Sequence, residues 1–537
     1  MKIIIAEKIS PAAISLFTDE SSWTVLTADQ VAGNLPKELA DADALIVRSA
    51  VQADKALLEH AGKLRVIGRA GVGVDNIDLD AATGKGIAVM NTPGANAVAV
   101  AEHTLGLMLA MARQVCRANE LMHQGKWEKK SLQGTELRGK TLGVLGLGRI
   151  GAEVAKRAQA FGMRVVAYDP FVPPTVAEQA GVELKQIDEV LASSDYLSLH
   201  MALTPQTTGF IGPDAIKKMK KGVRVVNCAR GELVNEAAAA EAIKAGQIAG
   251  LATDVFCEEP PKNSPLIGLP QVIATPHIAG STNEAQDAVG VQIAQQVKEY
   301  LKNGVIQNAV NVPSMTEEEY ALARPYIVLG GKLGAFLAQI TDGRPEQVTI
   351  RYSGDLSRWK TELVKNSVLM GILNVTLAGS ANVVNAAKIA NERGLQVMET
   401  RKERSSGGAS NVLSVELHTA SDVHEMKGTV LHGDQPRLLG VDNIDVEGPL
   451  GRNLLYIRNQ DVPGVVGKVG TILGDAEVNI ADFSLGRGES AVATATGSAA
   501  AKKSAIGIVH IDGGVPEPVL DQIRAVKAIV VARAIVL

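Results

Sequence analysis

Short apolar runs separated by stretches of helical length recur along the N-terminal half of the chain. Those in the first ninety or so residues are Ile3–Ala6, Thr24–Leu26, Ala44–Arg48, Leu64–Gly68 and Ile87–Asn91. Strands of a parallel sheet are buried on both faces, so they read as continuous apolar runs and not as alternating ones. The pattern therefore predicts a parallel α/β unit.

A long helix is predicted from about Asn96 to His123, after which the strand pattern starts again. The strands of this second set are predicted at Thr141–Leu145, Arg164–Asp169, Tyr196–His200, Val223–Asn227 and Val272–Thr275. A helix from about Asn283 to Lys302 follows and is ended by Asn303 and Gly304. Its natural packing place is the first sheet, which makes the first domain discontinuous. The expected architecture is two doubly wound, Rossmann-like α/β domains with a cleft between them.

The regular alternation of predicted strands and helices ends near residue 313. Ser314–Glu447 reads as a mixed α/β segment without a legible catalytic constellation. In the last ninety residues, a strand at Asn453–Arg458, a helix at Val465–Gly474 and a strand at Val478–Leu485 precede two further strands and a helix. That order predicts a small ferredoxin-like module.

Composition narrows the class of protein. A chain of 537 residues needs three or four domains, and a net charge of -4 with 3% aromatic residues gives no reason to expect nucleic acid as a partner. The three cysteines have no disulfide or metal-ligand spacing. The N-terminus reads as a strand and not as a signal peptide, and the most apolar helix carries charges. We expect a cytoplasmic protein with no membrane span and no metal.

A glycine-rich turn connects the first strand of the second set to a helix. Gly146 permits a tight turn, Gly148 lets the backbone approach a phosphate, and Gly151 lets the helix lie close to the sheet. Asp169 ends the next strand, near the ~20-residue spacing expected of a carboxylate that binds the adenosine ribose. A carboxylate there would repel a 2′-phosphate, which favours NAD over NADP.

A cation, a carboxylate and an imidazole follow downstream. Arg230 comes after a predicted strand, and its guanidinium can form a bidentate pair with a substrate carboxylate. His277, also after a strand, titrates in the range that suits proton removal from a hydroxyl group. Either Glu259 or Glu258 could orient the imidazole, and spacing alone does not separate them.

Two arginines close strands of the first domain. Arg48 and Arg69 could hold a second anionic group such as a phosphate, although solvated strand-end charge is an equally good interpretation of the residues alone. Cys228 lies beside the site but lacks the base that a nucleophile needs, so it is interpreted as a packing residue.

At these motifs the chain resembles the D-isomer-specific 2-hydroxyacid dehydrogenases. The resemblance rests on Leu145–Gly151, Asn227–Gly231, Asp254–Pro260 and Thr275–Gly280. It implies that Arg230, Glu259 and His277 are catalytic, with Glu259 preferred because it directly precedes Pro260. The cofactor contacts that it implies are Gly146, Gly148, Arg149, Ile150, Gly151, Asp169, Cys228, Ala229, Arg230, Asp254, His277, Ile278, Ala279 and Gly280. The implied substrate contacts are Arg48, Arg69, Gly71, Val72, Arg230 and His277.

Over its whole length the chain is similar to the long members of that family that act on 3-phospho-D-glycerate. The resemblance implies oxidation to 3-phosphohydroxypyruvate by NAD, the entry step of serine biosynthesis, in a homo-oligomer (a dimer or tetramer). The implied domains are substrate-binding (1–95 and 284–312), NAD-binding (96–283), intervening allosteric substrate-binding (313–450) and ACT (451–537).

Within the ACT module, Asp461 and Asn479 match positions that hold a serine effector across a subunit interface. Two features depart from the pattern: Asn459 stands where some serine-inhibited relatives carry an aromatic residue, and Gly488–Lys503 is rich in Ala, Ser and Thr.

Three other functions fit parts of this pattern. The same catalytic triplet serves dehydrogenases of the glyoxylate and lactate type. The two-domain fold also serves as an NAD-sensing transcriptional corepressor. A third reading is an amino-acid sensor on an inactive dehydrogenase, against which the intact triplet speaks.

Overall fold

The computed structural model describes residues 1–377, 379–404, 409–488 and 503–537. Residues 489–502, most of the stretch rich in Ala, Ser and Thr, lie outside these ranges. The described residues form four units, each built on its own sheet. No helix of the described ranges combines the length and the apolar character needed to cross a bilayer.

The first unit is a parallel sheet of order β2-β1-β3-β4-β5. Its strands are β1 (Lys2–Ile5), β2 (Thr24–Leu26), β3 (Ala44–Val47), β4 (Val66–Arg69) and β5 (Ala88–Met90). Its helices are α1 (Pro11–Thr18), α2 (Ala28–Val31), α3 (Leu35–Leu39), α4 (Lys55–Glu59) and α5 (Leu79–Gly84). The central strands are buried because helices cover both faces of the sheet.

The second unit is a seven-stranded parallel sheet of order β12-β11-β10-β9-β6-β7-β8. Its helices and strands are α6 (Ala97–Arg113), α7 (Val115–His123), β6 (Thr141–Leu145), α8 (Arg149–Ala160), β7 (Arg164–Tyr168), α9 (Pro174–Gln179), β8 (Glu183–Leu184), α10 (Ile187–Ser193), β9 (Tyr196–Leu199), α11 (Pro213–Lys218), β10 (Val223–Asn227), α12 (Glu236–Lys244), β11 (Ile248–Thr253) and β12 (Val272–Ala274). The order reverses direction between β6 and β9, as in a dinucleotide-binding fold. The predicted doubly wound α/β class is confirmed.

The helix that follows, α13 (Asn283–Asn303), returns to the first unit. Thr282 caps its N-terminus and Gly304, with φ of +76°, ends it. Its apolar face, with Val289, Ile293 and Val297, packs in the core of the first sheet.

Two details of the second unit differ from the sequence prediction. The helix predicted from Asn96 to His123 is broken at Gln114, which has a left-handed φ of +52° and separates α6 from α7. Strands β8 and β11 had no predicted counterpart. The residues of β11, from Ile248 to Thr253, include two alanines and a glycine, which carry little strand propensity, and pairing with β10 on one side and β12 on the other makes this run a strand.

The third unit packs two long helices on a six-stranded sheet of order β14-β13-β15-β16-β17-β18. Its elements are α14 (Glu317–Ile340), β13 (Pro345–Gly354), α15 (Glu362–Leu377), α16 (Ala386–Glu392), β14 (Gln396–Lys402), β15 (Asn411–Thr419), β16 (Val423–Leu431), β17 (Gln435–Val441) and β18 (Ile444–Pro449). Strands β13 and β14 are parallel and the other pairs are antiparallel.

The fourth unit has the ferredoxin-like order that the sequence predicted. Its elements are β19 (Asn453–Gln460), α17 (Val465–Asp475), β20 (Ile480–Arg487), β21 (Ser504–Ile511), α18 (Glu517–Arg524) and β22 (Ile529–Val536). The antiparallel sheet has the order β20-β21-β19-β22. Short 3₁₀ turns elsewhere in the chain cover Lys129–Leu132, Gly231–Leu233 and Asp355–Arg358.

Candidate active site

The predicted catalytic side chains lie at the carboxyl-terminal edge of the second sheet. Arg230 follows β10 and His277 follows β12, with β11 paired in parallel between these two strands. At Gly231, a Cβ atom would lie only 2.0 Å from the carbonyl carbon of Phe256. The glycine therefore lets the loop that carries Arg230 touch the loop that carries Glu259.

The His277 imidazole is held by Glu259. The two side chains meet at 2.7 Å between Nδ1 and Oε2, while Oε1 accepts a hydrogen bond from the Phe256 amide at 3.2 Å. A carboxylate can only accept, so Nδ1 carries the proton and the lone pair of the neutral ring is on Nε2. More than half of the His277 side chain is exposed, which leaves it accessible to a ligand. The structure thus brings Glu259, and not Glu258, to the imidazole.

Asp254 holds the backbone that carries His277. Its carbonyl accepts the His277 amide at 2.8 Å, and its two carboxylate oxygens accept the amides of Ile278 at 2.9 Å and Ala279 at 2.8 Å. His277 has a φ of +53°, a conformation rare in residues other than glycine. Hydrogen bonds from three successive backbone amides to the buried Asp254 keep this segment in that conformation.

Three residues that the sequence interpretation did not single out support the same segment. Thr275 Oγ1 donates to Asp254 Oδ1 at 2.5 Å, and His103 Nε2 lies 3.1 Å from the Thr275 hydroxyl. Asn96 lies against Gly280, where a Cβ atom would come within 2.8 Å of its Nδ2. Asn96 and His103 are seven positions apart and share one face of α6, and two polar residues on one face of an apolar helix were the available signal.

The charge of Asp254 is supported by these contacts. Burial acts to raise the pKa of its carboxyl group, but hydrogen bonds from His103, Thr275 and the backbone amides outweigh burial and lower the pKa below its usual value. The carboxylate is therefore ionised at neutral pH although its side chain is fully buried.

Arg230 extends from the second unit to the first. Its Nη2 atom lies 3.1 Å from Asp75 Oδ2, and its Nη1 donates to the Ala229 carbonyl at 2.7 Å. Asn227 fixes the loop by donating to the Arg230 carbonyl and accepting from the Ala229 amide. Burial raises the pKa of Cys228 to about 12, so this thiol packs and does not act as a nucleophile.

Arg69 and Arg48 lie at the carboxyl-terminal edge of the first sheet. Arg69 ends β4, and Arg48 follows the neighbouring strand β3. The Arg69 guanidinium folds over Gly71, where a Cβ atom would meet its Nη1 at 1.5 Å. The Val72 carbonyl beside it accepts from Asn91 Nδ2 at 2.5 Å. Within the described residues, Arg69 Nε is a buried donor without a hydrogen-bond partner.

The electrostatics of this corner favour an anion. Burial, followed by the positive charge of Arg230, lowers the pKa of Arg69, and Arg48 acts more weakly in the same direction. Asp75 and Glu7 oppose the shift without cancelling it. A bound anion would therefore lower the electrostatic repulsion among these three guanidinium groups.

The glycine turn has the geometry of a dinucleotide site. Gly146 has a φ of +95°, and a Cβ atom there would lie 2.8 Å from the His200 carbonyl carbon. A Cβ atom at Gly151 would lie 2.1 Å from the Gly146 oxygen, whereas at Gly148 nothing lies within 4 Å. Ile150 packs on the core of the second sheet. The open Gly148 precedes the uncapped N-terminus of α8, which fits a pyrophosphate.

Asp169 lies beside this turn. Its Oδ2 accepts the Leu147 amide at 2.8 Å and its Oδ1 accepts the Phe171 amide at 2.9 Å. Arg149, the first residue of α8, donates to the Pro93 carbonyl of the first unit. The carboxylate is therefore held at the turn where a ribose would follow the pyrophosphate.

The two predicted effector residues have separate partners. Asp461 is 3.6 Å from Arg487 Nε, and Asn479 Nδ2 donates to Asp512 at 2.7 Å. The contacts of one chain do not bring Asp461 and Asn479 together.

Comparison with known proteins places these sites in a family. Residues 105–279 match the NAD-binding domain of D-isomer specific 2-hydroxyacid dehydrogenases, and residues 322–442 match the intervening domain of D-3-phosphoglycerate dehydrogenase. The D-3-phosphoglycerate dehydrogenase of Methanocaldococcus jannaschii is 40% identical over 530 residues, which are 98% of each chain. That of Archaeoglobus fulgidus is 42% identical over 489 residues, covering 91% of this chain and 92% of the relative.

Among solved structures, D-lactate dehydrogenase from Aquifex aeolicus, complexed with NAD and lactic acid, matches with a TM-score of 0.52 and 30% identity. The match covers 58% of this chain and 100% of the D-lactate dehydrogenase chain. The match to the family NAD-binding domain and the glycine turn agree on the cofactor, which is NAD. This chain belongs to the D-3-phosphoglycerate dehydrogenase family of NAD-dependent D-isomer-specific 2-hydroxyacid dehydrogenases.

Proposed function

We propose that this protein oxidises 3-phospho-D-glycerate to 3-phosphohydroxypyruvate with NAD as the hydride acceptor, the entry step of serine biosynthesis. The substrate is inferred from the group of three arginines, one of which has a buried Nε without a partner among the described residues. Arg230 of this group follows β10, two strands from β12, which precedes the exposed His277–Glu259 pair. A substrate with a phosphate at one end, a carboxylate at the other and a hydroxyl beside the carboxylate matches these charges.

His277 is the proposed base. With Nδ1 bonded to Glu259, the lone pair on Nε2 is available for the proton of the C2 hydroxyl as hydride leaves C2 for the nicotinamide ring. The ring becomes an imidazolium, whose charge the adjacent carboxylate stabilises. The anchoring of Glu259 to the Phe256 amide means that little reorganisation is needed at that step.

Arg230 is the proposed ligand of the substrate carboxylate. Its guanidinium lies against Gly73, where a Cβ atom would come within 2.1 Å of Nη2, and already bonds one carboxylate, that of Asp75. Asp75 is itself 69% exposed, so its pairing with Arg230 is weak enough to be exchanged for a substrate carboxylate. Arg69 and Arg48 then remain for the phosphate group.

Asp169 and the glycine turn are proposed to select the cofactor. The Asp169 carboxylate can accept hydrogen bonds from the ribose hydroxyls of NAD, and its charge would repel the 2′-phosphate of NADP. Amides at the start of α8 are oriented to bind the pyrophosphate.

A comparison of substrates tests the proposed function. We expect kcat/KM with 3-phospho-D-glycerate to exceed that with D-lactate or D-glycerate by at least about a hundredfold, since two lost charge-assisted contacts cost several kcal/mol. Equal values for the three acids would contradict the phosphate site and favour the second candidate, a dehydrogenase of the lactate or glyoxylate type. The structural likeness to the D-lactate dehydrogenase is the observation that keeps this second candidate.

We also propose that the fourth unit, at 451–537, is an ACT domain that binds serine between two chains. Strand β21 runs beside both candidate residues, with Gln460 opposite Ser504 and Ile480 opposite Ile511. Asp461 and Asn479 are therefore near opposite ends of a strand, ~24 Å apart at ~3.4 Å per residue. One serine cannot bridge that distance within a chain, so a site with both residues needs a second copy.

A homo-oligomer is proposed for a further reason. Helix α7 has no buried residue, and it exposes Val115 and Met122, with Trp127 exposed beyond it. Apolar groups gathered on one segment are typical of a surface that another subunit covers. Initial rates with and without serine, combined with sedimentation, test both proposals: no inhibition and a monomeric mass would contradict them.

For the rest of the chain, the proposed domains are a substrate-binding domain (1–95 with 284–312), an NAD-binding domain (96–283) and an intervening domain (313–450).

A further inference from the structure

Helix α6 contacts the segment that carries the proposed base. This helix packs in the core of the second unit with Val100, Leu105 and Met108, and its His103 reaches out of that core toward the end of β12. There Nε2 lies 3.1 Å from Thr275 Oγ1 and 3.6 Å from Asp254 Oδ1. About a quarter of the His103 side chain is exposed, whereas the Asp254 side chain is fully buried.

The hydrogen atoms in this contact can be assigned by counting donors. Thr275 has one hydroxyl proton, which it donates to Asp254 Oδ1 at 2.5 Å, because the carboxylate can only accept. The hydroxyl oxygen is then left as an acceptor, so His103 Nε2 must carry a proton and donate it. The chain of donors runs from His103 through Thr275 to Asp254.

This chain ends at the backbone of the proposed base. The same Asp254 oxygen that accepts from Thr275 also accepts the Ile278 amide, and the Asp254 carbonyl accepts the amide of His277 itself. Rotation of the buried carboxylate would release the amides of Ile278 and Ala279, the two residues that follow His277, and relax the left-handed φ of His277. The imidazole would then leave the position in which Glu259 orients it.

We propose that His103 is a positioning residue, which acts through Thr275 and Asp254 to hold the His277 ring in the orientation for proton removal. The inference rests on the proposed function for the role of His277 as base. Among the described residues, His103 makes no hydrogen bond or ion pair with Arg48, Arg69 or Arg230, so its effect is expected on kcat and not on the KM for the phosphorylated substrate.

Variants of His103 in the full-length protein test this proposal. His103→Gln places an amide nitrogen near the position of Nε2 and keeps the donor, whereas His103→Leu removes it. We expect His103→Leu to lower kcat at least about tenfold, because small displacements of a catalytic group cost one to two orders of magnitude. We expect the KM for 3-phospho-D-glycerate to change less than about threefold, and His103→Gln to restore most of kcat.

Thr275→Val removes the bridge and completes a double-mutant cycle. If His103 acts through Thr275, the double variant with His103→Leu has the kcat of Thr275→Val alone. His60→Leu, at the exposed C-terminal end of helix α4 in the first unit, is the matched control and should retain wild-type kcat. Thermal unfolding of each variant shows whether a loss of rate accompanies a loss of folding.

Two results would overturn the proposal: a wild-type kcat in His103→Leu, or an equal loss in His103→Gln and His103→Leu. Failure of the proposed function would look different. In that case the wild-type protein would turn over another 2-hydroxy acid, and the same variants measured with that acid would still test His103.

Discussion

At the scale of single residues, the chemistry depends on which group faces the His277 ring. Glu258 and Glu259 are adjacent in the chain, and only Glu259 meets Nδ1, at 2.7 Å. A carboxylate at this distance fixes the tautomer and, in the proposed reaction, would stabilise the imidazolium formed when the ring takes a proton.

This gives a prediction with a matched control in the neighbouring residue. Glu259→Gln should lower kcat by about two to four orders of magnitude, because a neutral amide neither stabilises the imidazolium nor enforces the Nδ1–H tautomer. Glu258→Gln should retain wild-type kcat. Steady-state kinetics with saturating NAD measures both, and equal losses would show that the orienting carboxylate has been misassigned.

Arg69 gives a second prediction at the same scale. Its buried Nε, which has no partner in the described part of the chain, is suited to a phosphate, so Arg69→Ala should raise the KM for 3-phospho-D-glycerate by more than about tenfold. The turnover of D-glycerate, which has no phosphate, should change little. Parallel losses with both acids would remove Arg69 from the phosphate site.

At the scale of elements, the corner between β6 and α8 combines close packing with an open face. Gly151 lies against the Gly146 carbonyl, so the helix can approach the sheet only without a side chain at this position. A Cβ atom at Gly148 would contact nothing within 4 Å among the described residues, apart from its chain neighbours and the helix backbone. The two glycines therefore have different physical reasons for lacking a Cβ atom.

Alanine at the two positions should separate these reasons. Gly151→Ala should lower the free energy of unfolding by about 1–3 kcal/mol through overpacking, seen as a lower Tm. Gly148→Ala should leave Tm unchanged and weaken NADH binding, measured by fluorescence titration, because the methyl group stands where the backbone must approach the pyrophosphate. The reverse pattern would contradict the assignment of this corner.

At the scale of the whole molecule, the first, third and fourth units share hydrophobic cores. Ala323, Leu363 and Val384 of the third unit pack in the core of the first, and strands of the fourth unit contribute Tyr456 and Ile508 to the core of the third. Packing is therefore contiguous from the fourth unit through the third to the first sheet, which carries Arg48 and Arg69.

One polar contact between the third and fourth units depends on pH. His424 on β16 lies between Asp442, at 2.7 Å from Nδ1, and Asp422, at 3.2 Å from Nε2. Asp442 also faces Arg458 of β19 at 3.8 Å. The hydrogen bond to Asp442 raises the pKa of His424 against the opposing effect of burial. The protonated ring is thus stabilised in the folded state.

The sign of the pH dependence follows. A raised pKa gives stability that is fully present below the ordinary histidine pKa and is lost as the pH rises through the folded-state value. We expect His424→Asn to flatten the decrease in Tm between about pH 6 and pH 9 by roughly 3 °C or more. His432→Asn, at an exposed hairpin position with φ of +51°, is the control. An unchanged pH profile in His424→Asn would contradict this role.

The sequence by itself determined the features that depend on contacts between residues close together in the chain. The strand periodicity and the Gly146–Gly151 turn are local features, because a strand, a turn and a helix follow one another within a few residues. The sequence therefore predicted them, and it also predicted that Asp169 ends the next strand. The doubly wound class and the ferredoxin-like order were predicted as well, because each strand carries its own burial pattern. Strand β11 was missed, since an alanine- and glycine-rich run becomes a strand only between two others.

Only the tertiary structure decided which side chains meet. The resemblance already preferred Glu259 over Glu258, but its contact with His277 is seen only in the fold. Likewise, Arg230 pairs with Asp75, and His103 connects through Thr275 to Asp254, although these residues are distant in sequence. Such contacts depend on loops whose conformation is set by backbone amides and close packing, as at Gly231, and not by side-chain pattern. Hydrophobic periodicity specifies which face of an element is buried, but it contains no information about which polar groups face each other across a cleft.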